Sequence, residues 1–459
     1  MSPRKARLSL CLIARDEEAM LPDCLASVRG VADEVVLVDT GSRDATRGVA
    51  RAAGAQVHER PWDDDFAAPR NLALAHARGD FVLVLDADER LADRSRATLR
   101  RIVDEGGDFD CGMLRLHNAT RGDAPADDVL SGAARAGAPE WLPRLLRRTD
   151  DLRYTGIVHE SVREWLSRRG ERLRFLDVDV VHLGAVPSLR AARGKRERNL
   201  RLLRKRAAAE PGDPTALGYL ANELLEEGRL DEARTTVDEA WALRGTCGPR
   251  RGRSILRIAV SRARLQLQAR DATGLVATVE EAARIEGPHP DLAFLGGYAR
   301  ETQALAEPEP AERRALLDIA AASYAAACAS RGAPLVESFV EGAASWGGST
   351  RLGTVLLLLG RPGEALAAFE RALTDRPDHH EALLGRAEAL LDGRRAAEAL
   401  AAVEPLLDGR PDGWLLASAA AAALGATSDA RLLLVRARER EPAGFLAPHR
   451  RGRLRALAG

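Results

Sequence analysis

The segment Asp80–Glu89, DFVLVLDADE, constrains the fold of this chain more than any other. Five consecutive apolar residues, Phe81 to Leu85, run directly into three carboxylates, Asp86, Asp88 and Glu89. An apolar run of this length bounded by charge reads as a strand buried on both faces. Such a strand needs helices on each side of its sheet, which is the arrangement of α/β domains. The flanking sequence agrees. Leu8–Ala14, Glu34–Asp39, Gln56–Glu59, Phe81–Asp86 and Gly112–His117 have strand character, while Ala19–Arg29, Asp44–Ala53, Phe66–Ala77 and Arg94–Glu105 have helical periodicity. Gly54 and Gly79 follow two of these helices in the position of a C-cap glycine. The alternation predicts a Rossmann-like, mostly parallel sheet with helices on both faces. Sheets of this kind hold ligands outside the carboxyl ends of their strands.

From about residue 190 the strand signals cease and helix follows helix. The chain therefore divides into an α/β domain over 1–189 and an all-α domain over 190–459. Within the second, Gly353, Leu356, Gly360, Ala365, Phe369, Ala372 and Pro377 form one unit. A step of 34 residues lands on Ala387, Leu390, Arg394, Ala399, Val403, Leu406 and Pro411, with the turn glycine displaced to Gly393. That spacing is similar to the tetratricopeptide repeat, in which stacked helix pairs form a solenoid and supply one another with a core. Ala221, Leu224, Gly228, Ala233, Val237 and Ala240 fit an earlier unit, and the pattern is degenerate between about 250 and 345.

Lys plus Arg and Asp plus Glu number 68 each, so no overall basic field points to nucleic acid, and none is predicted as a partner. The basic run Arg193–Arg206 reads as the solvated face of a helix. The five cysteines are scattered without CxxC spacing, which fits a reducing cytoplasm rather than a disulfide framework. The first apolar run is short and meets charge at once, so it reads as a strand and not a signal peptide. No window is long enough to span a bilayer, which leaves at most peripheral membrane contact.

Polar residues gather at three strand ends: ARDEE (Ala14–Glu18), VDTGSRD (Val38–Asp44) and LDADE (Leu85–Glu89). Asp86 and Asp88, two apart on an extended backbone, point to the same side. Two adjacent carboxylates repel unless a cation accompanies them, and Mg²⁺ or Mn²⁺ shared with a diphosphate is the natural one. Neither GxxxxGK[ST] nor GxGxxG is present to cradle phosphates by backbone alone. In WDDDF (Trp62–Phe66) the acids read as structural, with Asp64 or Asp65 capping the next helix. Residues 121–140, rich in Gly, Ala, Pro and Asp, read as a mobile loop over the site.

The stretches LCLIARDEEAMLPDCLASVRGVADEVVLVDTGSRDAT and PWDDDFAAPRNLALAHARGDFVLVLDADERL resemble the family 2 glycosyltransferases of GT-A fold. The resemblance covers roughly residues 7–190, and the sequence beyond is similar to the subset followed by tetratricopeptide repeats. It implies an inverting, divalent-metal-dependent transfer of sugar from a nucleotide-sugar donor, with UDP the commonest nucleotide. The acceptor would be a glycan, a lipid-linked glycan or a protein or peptide, with the repeats binding acceptor or partner. By resemblance, Ala14, Arg15 and Glu17 would border the nucleotide and Asp39 would accept a hydrogen bond from its base. Arg70 would approach the base or phosphates, Asp86 the ribose or the metal, and Asp88 and His182 would ligate the metal. Glu160, in YTGIVHESVREW, would be the general base, with Glu89 and Asp151 as rivals. Asp16 replaces the usual Asn and Pro69 replaces a small residue. Two other readings compete. A nucleotidyltransferase would need a basic glycine loop where ARDEE stands, and a non-catalytic repeat scaffold would need no intact Asp-X-Asp.

Overall fold

The computed structural model describes residues 5–184, 186, 195–248, 254–407, 411–439, 450, 454–455 and 457. The boundary expected between 189 and 190 lies outside them. Two compact units emerge, Met1–Ile258 with Pro334–Glu337, and Ala259–Ala333 with Ser338–Gly459. The helices Lys195–Ala209, Pro214–Glu226 and Leu230–Ala242 thus belong with the sheet-bearing unit.

That sheet has eight strands among the described residues: β1 (Leu8–Ala14), β2 (Glu34–Asp39), β3 (Gln56–Glu59), β4 (Phe81–Val84), β5 (Glu89–Leu91), β6 (Cys111–Asn118), β7 (Glu140–Arg147) and β8 (Leu173–His182). Their order is β3-β2-β1-β4-β7-β6-β8-β5. The first four are parallel, as the alternation predicts. Beyond β4 the sheet is mixed, because β7 returns antiparallel to both β4 and β6, while β8 runs parallel to β6 and antiparallel to β5.

Side-chain alternation along the strands builds two cores. Leu8, Leu10 and Leu12 of β1 pack with Phe81, Leu83 and Leu85 on one face, against α1 (Leu21–Ser27) and α4 (Asp93–Glu105). Cys11, Val36, Val38, Val82 and Val84 face the other way, toward α3 (Ala67–His76) and α6 (Arg163–Arg168). Between α1 and α3 lies α2 (Thr46–Ala52), and α5 (Ala126–Ser131) follows β6. All five residues Phe81–Leu85 are at most 2% exposed, as a strand covered on both faces must be. Each such large side chain contributes about 1.5–3 kcal/mol by burial.

Two expectations need correction. Gly54 does take the left-handed conformation after α2 (φ 84°), but Gly79 does not cap α3. It is a point of close approach, since a Cβ there would fall 2.6 Å from the backbone nitrogen of Ser9. Residues 121–140, read as a mobile loop over the site, carry regular structure of their own. They contain α5, and Ala124, Val129 and Ala134 form a small core with Val181 and Leu183 at the end of β8.

The second unit contains helices and their connections, with no strand among its described residues. Trp346–Leu358 pairs with Pro362–Asp375, and His380–Asp392 with Ala396–Val403, matching the 34-residue step. The small residues of the pattern have a packing reason. A Cβ at Gly353 or Gly385 would lie 2.8 or 2.3 Å from the ring of Phe369, which is wholly buried between them. Arg394, standing where the glycine step predicts a turn, takes φ 59°, close to the 72° of Gly360. Among the described residues no helix is long and apolar enough to cross a membrane.

Candidate active site

The carboxyl ends of β2, β1 and β4 lie side by side. Ala14 closes β1 in a buried position and Arg15 is exposed beyond it. The chain then turns through Asp16 at φ 54°, a left-handed conformation that Asn and Asp tolerate better than most residues. Asp in place of Asn therefore keeps the turn. Its Oδ1 accepts from the Arg43 N–H (2.7 Å), and its own N–H donates to Ser42 Oγ (3.0 Å). The Glu17 N–H donates to Thr46 Oγ1 (2.8 Å), so the segments after β1 and β2 are laced together. Asp39, buried at the end of β2, accepts at Oδ1 from the N–H groups of Gly41 (3.1 Å) and Ser42 (3.0 Å). Its Oδ2 is buried with no partner among the described residues. An unpaired buried acceptor costs about 1–3 kcal/mol, which a ligand N–H at that oxygen would recover.

Helix α3 delivers Arg70. Asp65 accepts from the Ala68 N–H (3.0 Å) in its first turn, the capping role expected of the WDDDF acids. Pro69 occupies the third helical position, where an N–H would have no intrahelical partner, so the ring is tolerated there. Arg70 is buried and donates from Nη2 to Asp86 Oδ1 (2.9 Å) and from Nε to Glu160 Oε1 (2.5 Å). Its guanidinium also stands 5.6 Å from the centre of the Tyr154 ring. A second guanidinium, Arg144 of β7, lies 3.4 Å from Asp86 Oδ2 and pairs with Glu89 Oε1. Glu89 Oε2 accepts from the Asp86 N–H (3.0 Å).

Burial disfavours charge on Asp86, yet Arg70 and Arg144 outweigh it and hold the carboxyl below its usual range. For Glu89 burial prevails over Arg144, with Asp86 adding to it, and the carboxyl rises to about 7. Two carboxyls three positions apart are thereby pushed in opposite directions, a pattern that separates a permanent anion from a group able to hold a proton.

Asp88 is buried and its Oδ1 lies 3.6 Å from His182 Nε2. His182 ends β8 opposite Glu89 of β5. Its Nδ1 bonds Asn118 Oδ1 (2.8 Å), and the Asn118 amide donates on to Glu140 (3.1 Å). That bond places a proton on Nδ1 and leaves Nε2 with its lone pair in the neutral ring, the disposition of a metal-ligating histidine. Burial lowers the affinity of His182 for a proton, but Asp88, Glu89 and Asp86 raise it overall. The carboxylates that attract a proton there attract any cation. Gly184 passes so close that a Cβ would fall 1.7 Å from Asp88 Oδ2. Among the described residues no group of three or more His, Cys, Asp or Glu is arranged as a complete metal site.

The structure therefore joins Arg70, Asp86 and Glu160 in one network and sets Asp88 and His182 as a pair. Ala14, Arg15, Glu17 and Asp39 border the ends of β1 and β2. Asp151 is exposed and accepts from Thr149 Oγ1 (2.7 Å). Arg144 was missed by sequence reasoning.

Residues 9–170 match the model of the Glycosyl transferase family 2, and residues 350–413 match that of the Tetratricopeptide repeat. The N-terminal unit carries a family 2 glycosyltransferase domain. A tetratricopeptide repeat-containing protein of Synechococcus elongatus is 36% identical over 237 residues, 50% of this chain and 55% of that protein. An uncharacterized glycosyltransferase of Rickettsia typhi is 35% identical over 86 residues, 19% of this chain and 29% of its own. The prophage-derived glycosyltransferase SunS of Bacillus subtilis is 22% identical over 234 residues, 50% of each chain. The chain spans about half or less of the length of these relatives. The matched part of the transferase domain runs from β1 to α6, so His182 and the helices from 195 onward lie outside it.

Proposed function

We propose that the transferase domain moves a sugar from a nucleotide-sugar, UDP-linked, to an acceptor hydroxyl with inversion at the anomeric carbon. The observation that carries this reading is Arg70, which joins Asp86 and Glu160 at the carboxyl ends of the parallel strands. Asp39 Oδ2, unpaired and buried, suits the imino N–H of a nucleotide base, with Ala14, Arg15 and Glu17 beside it. Asp88 and His182 offer one hard oxygen and one imidazole nitrogen, a donor set that fits Mg²⁺ or Mn²⁺ completed by phosphate oxygens. When bound, that ion supplies Lewis-acid stabilisation of the departing diphosphate. Asp86, fixed by two guanidiniums, stays charged toward the ribose or the metal.

Glu160 is the general base in this reading. Arg70 holds its Oε1, which leaves Oε2 to take the proton of the acceptor hydroxyl. Attack from the side opposite the diphosphate gives inversion. The repeats of the second unit bind the acceptor (a glycan, a lipid-linked glycan or a peptide) or a partner protein. All five cysteines are free, consistent with work in the cytoplasm.

The test is a screen of UDP-, GDP- and dTDP-sugars with Mn²⁺ for thermal stabilisation and donor turnover, repeated with Asp88→Ala and Glu160→Gln. One nucleotide class should stabilise the folded protein. Glu160→Gln should lower turnover about 100- to 10,000-fold while still binding donor. Absence of binding by every nucleotide-sugar would favour a scaffold, and full turnover in Glu160→Gln would remove it as the base.

A further inference from the structure

Glu160 sits in a loop that the sheet alone does not hold. Thr155 and Ser161 exchange backbone hydrogen bonds (Thr155 N–H to Ser161 O, 2.9 Å; Ser161 N–H to Thr155 O, 3.0 Å), closing residues 155–161 into a ring. Two of its residues are left-handed, Gly156 at φ 86° and His159 at φ 51°. A bulky non-glycine residue in that conformation persists only where its surroundings over-determine it.

One set of surroundings is α3 and the segment before it. The Phe66 N–H donates to Ile157 O (2.8 Å), and the Asn71 side chain bonds both the N–H and the carbonyl of Tyr154 (2.8 and 2.9 Å). The other comes from beyond β8. Arg206, on the helix Lys195–Ala209, is buried and donates from Nη1 to the carbonyl oxygens of Val158 (2.8 Å) and His159 (3.4 Å). Its Nε and Nη2 are held by Glu210 (3.0 Å) and Asp213 (3.3 Å). The guanidinium is thus fixed by two carboxylates from its own segment and aimed at the loop. Gly156 is matched to it, since a Cβ there would lie 2.6 Å from the guanidinium carbon. The His159 ring lies flat on Tyr219 of the next helix, with centroids 4.2 Å and planes 4° apart.

We infer that Arg206, backed by Tyr219, is a positioning residue for Glu160, so that the catalytic unit includes the first helices beyond the family match. This rests on the reading of Glu160 as base. Arg206 grips the carbonyl of the residue immediately before Glu160, and Arg70 grips the carboxylate itself, so backbone and side chain are fixed from opposite partners. A misplacement of about 1 Å costs a catalytic group about 100-fold. Loss of Arg206 should therefore act on the chemical step and leave the donor pocket, which lies at the ends of β1 and β2, as it was.

The experiment compares full-length wild type, Arg206→Met, Arg206→Lys, Tyr219→Leu and Glu160→Gln. Hydrogen exchange without ligand is read at the Thr155 and Ser161 amides against those of β4. Donor turnover is read with whichever of the UDP-, GDP- or dTDP-sugars the screen selects. In Arg206→Met the two loop amides should exchange about ten-fold faster or more with β4 unchanged. Its kcat should fall about ten- to 100-fold while the donor KM stays within about two-fold. Arg206→Lys should recover part of kcat, and Tyr219→Leu should give a smaller loss of the same kind. Unchanged loop exchange in both Arg206→Met and Tyr219→Leu overturns the inference, as does wild-type kcat in the two variants. Wild-type kcat in Glu160→Gln instead overturns the base assignment, and the exchange data still judge the clamp. A merely structural role would lower the melting temperature and leave kcat below it unchanged.

Discussion

Replacing Arg144 with Met removes the buried cation between Asp86 and Glu89 and preserves most of its apolar stem. The Glu89 side chain is 1% exposed and that of Arg144 11%. Removing one partner of a buried ion pair costs about 3–5 kcal/mol, because the other group is left charged without compensation or must take up a proton, as Glu89 can. Two contacts soften the loss here. Glu89 Oε2 keeps the bond from the Asp86 N–H, and Asp86 keeps Arg70. The cost should therefore lie near the lower end, about 3 kcal/mol. Glu89→Gln alone keeps an acceptor for Arg144, which also remains 3.4 Å from Asp86, so about 1 kcal/mol is expected. Were the two independent, the double variant would lose about 4 kcal/mol. With the charge and its partner both gone, it should lose about 2, a coupling within the range for residues in contact. Native-state hydrogen exchange at the Phe81–Val84 amides reads this directly, since 3 kcal/mol corresponds to about 150-fold faster exchange. A double variant whose loss equals the sum of the singles would refute the pairing of Arg144 with Glu89.

Three other outcomes are expected. Gly184→Ala places a methyl group where Asp88 Oδ2 stands, so Mn²⁺ affinity measured by calorimetry should drop about ten-fold or more; unchanged affinity would count against Asp88 as a ligand. Gly385→Ala should destabilise the second unit by about 1–3 kcal/mol through overpacking on Phe369, and Phe369→Leu should recover part of it; urea unfolding checks both. His159 is exposed overall, but the packing of its ring, together with Arg257 and Arg206, lowers its pKa to about 4. Between that value and the ordinary 6.5 the unfolded chain binds the extra proton, so the stability it contributes is present above pH 6.5 and lost as pH falls toward 4. An NMR titration placing His159 at or above 6.5 would contradict this packing.

The strands that carry continuous apolar runs were legible, because burial on both faces leaves a plain mark. β1 and β2 begin and end where the pattern puts them, as does the partly exposed β3, while β4 stops at Val84, two residues short of the expected Asp86. β7 was not legible, since its Pro143 and its broken alternation, Arg144-Leu145-Leu146-Arg147, show nothing of its antiparallel return, and with it Arg144 went unread. Arg144 lies 58 positions from Asp86, and only the sheet order brings them together. The run ending at Arg206 presents a solvated face at Arg201, Arg204 and Lys205, as its composition suggests, but not at its last member. A basic residue looks solvated unless its partners are known, and Arg206 is buried against the loop of Glu160. Resemblance, rather than pattern, pointed to Asp39, Glu160 and His182, whose roles depend on neighbours distant in the chain.

The left-handed residue of the helix-pair turn recurs more widely than the glycine that usually marks it. Gly228, Arg270, Gly360, Arg394 and Gly425 each stand two residues after one helix and two before the next, all between φ 56° and 81°. The turn is thus specified by backbone handedness, and arginine as well as glycine fills it. Over evolutionary time such an array can drift in sequence while keeping its hinges. The same turn recurs at Gly228, Arg270 and Gly425, outside residues 350–413 where the repeat family matches, so such an array can gain or lose helix pairs by keeping the backbone of the turn rather than its letters.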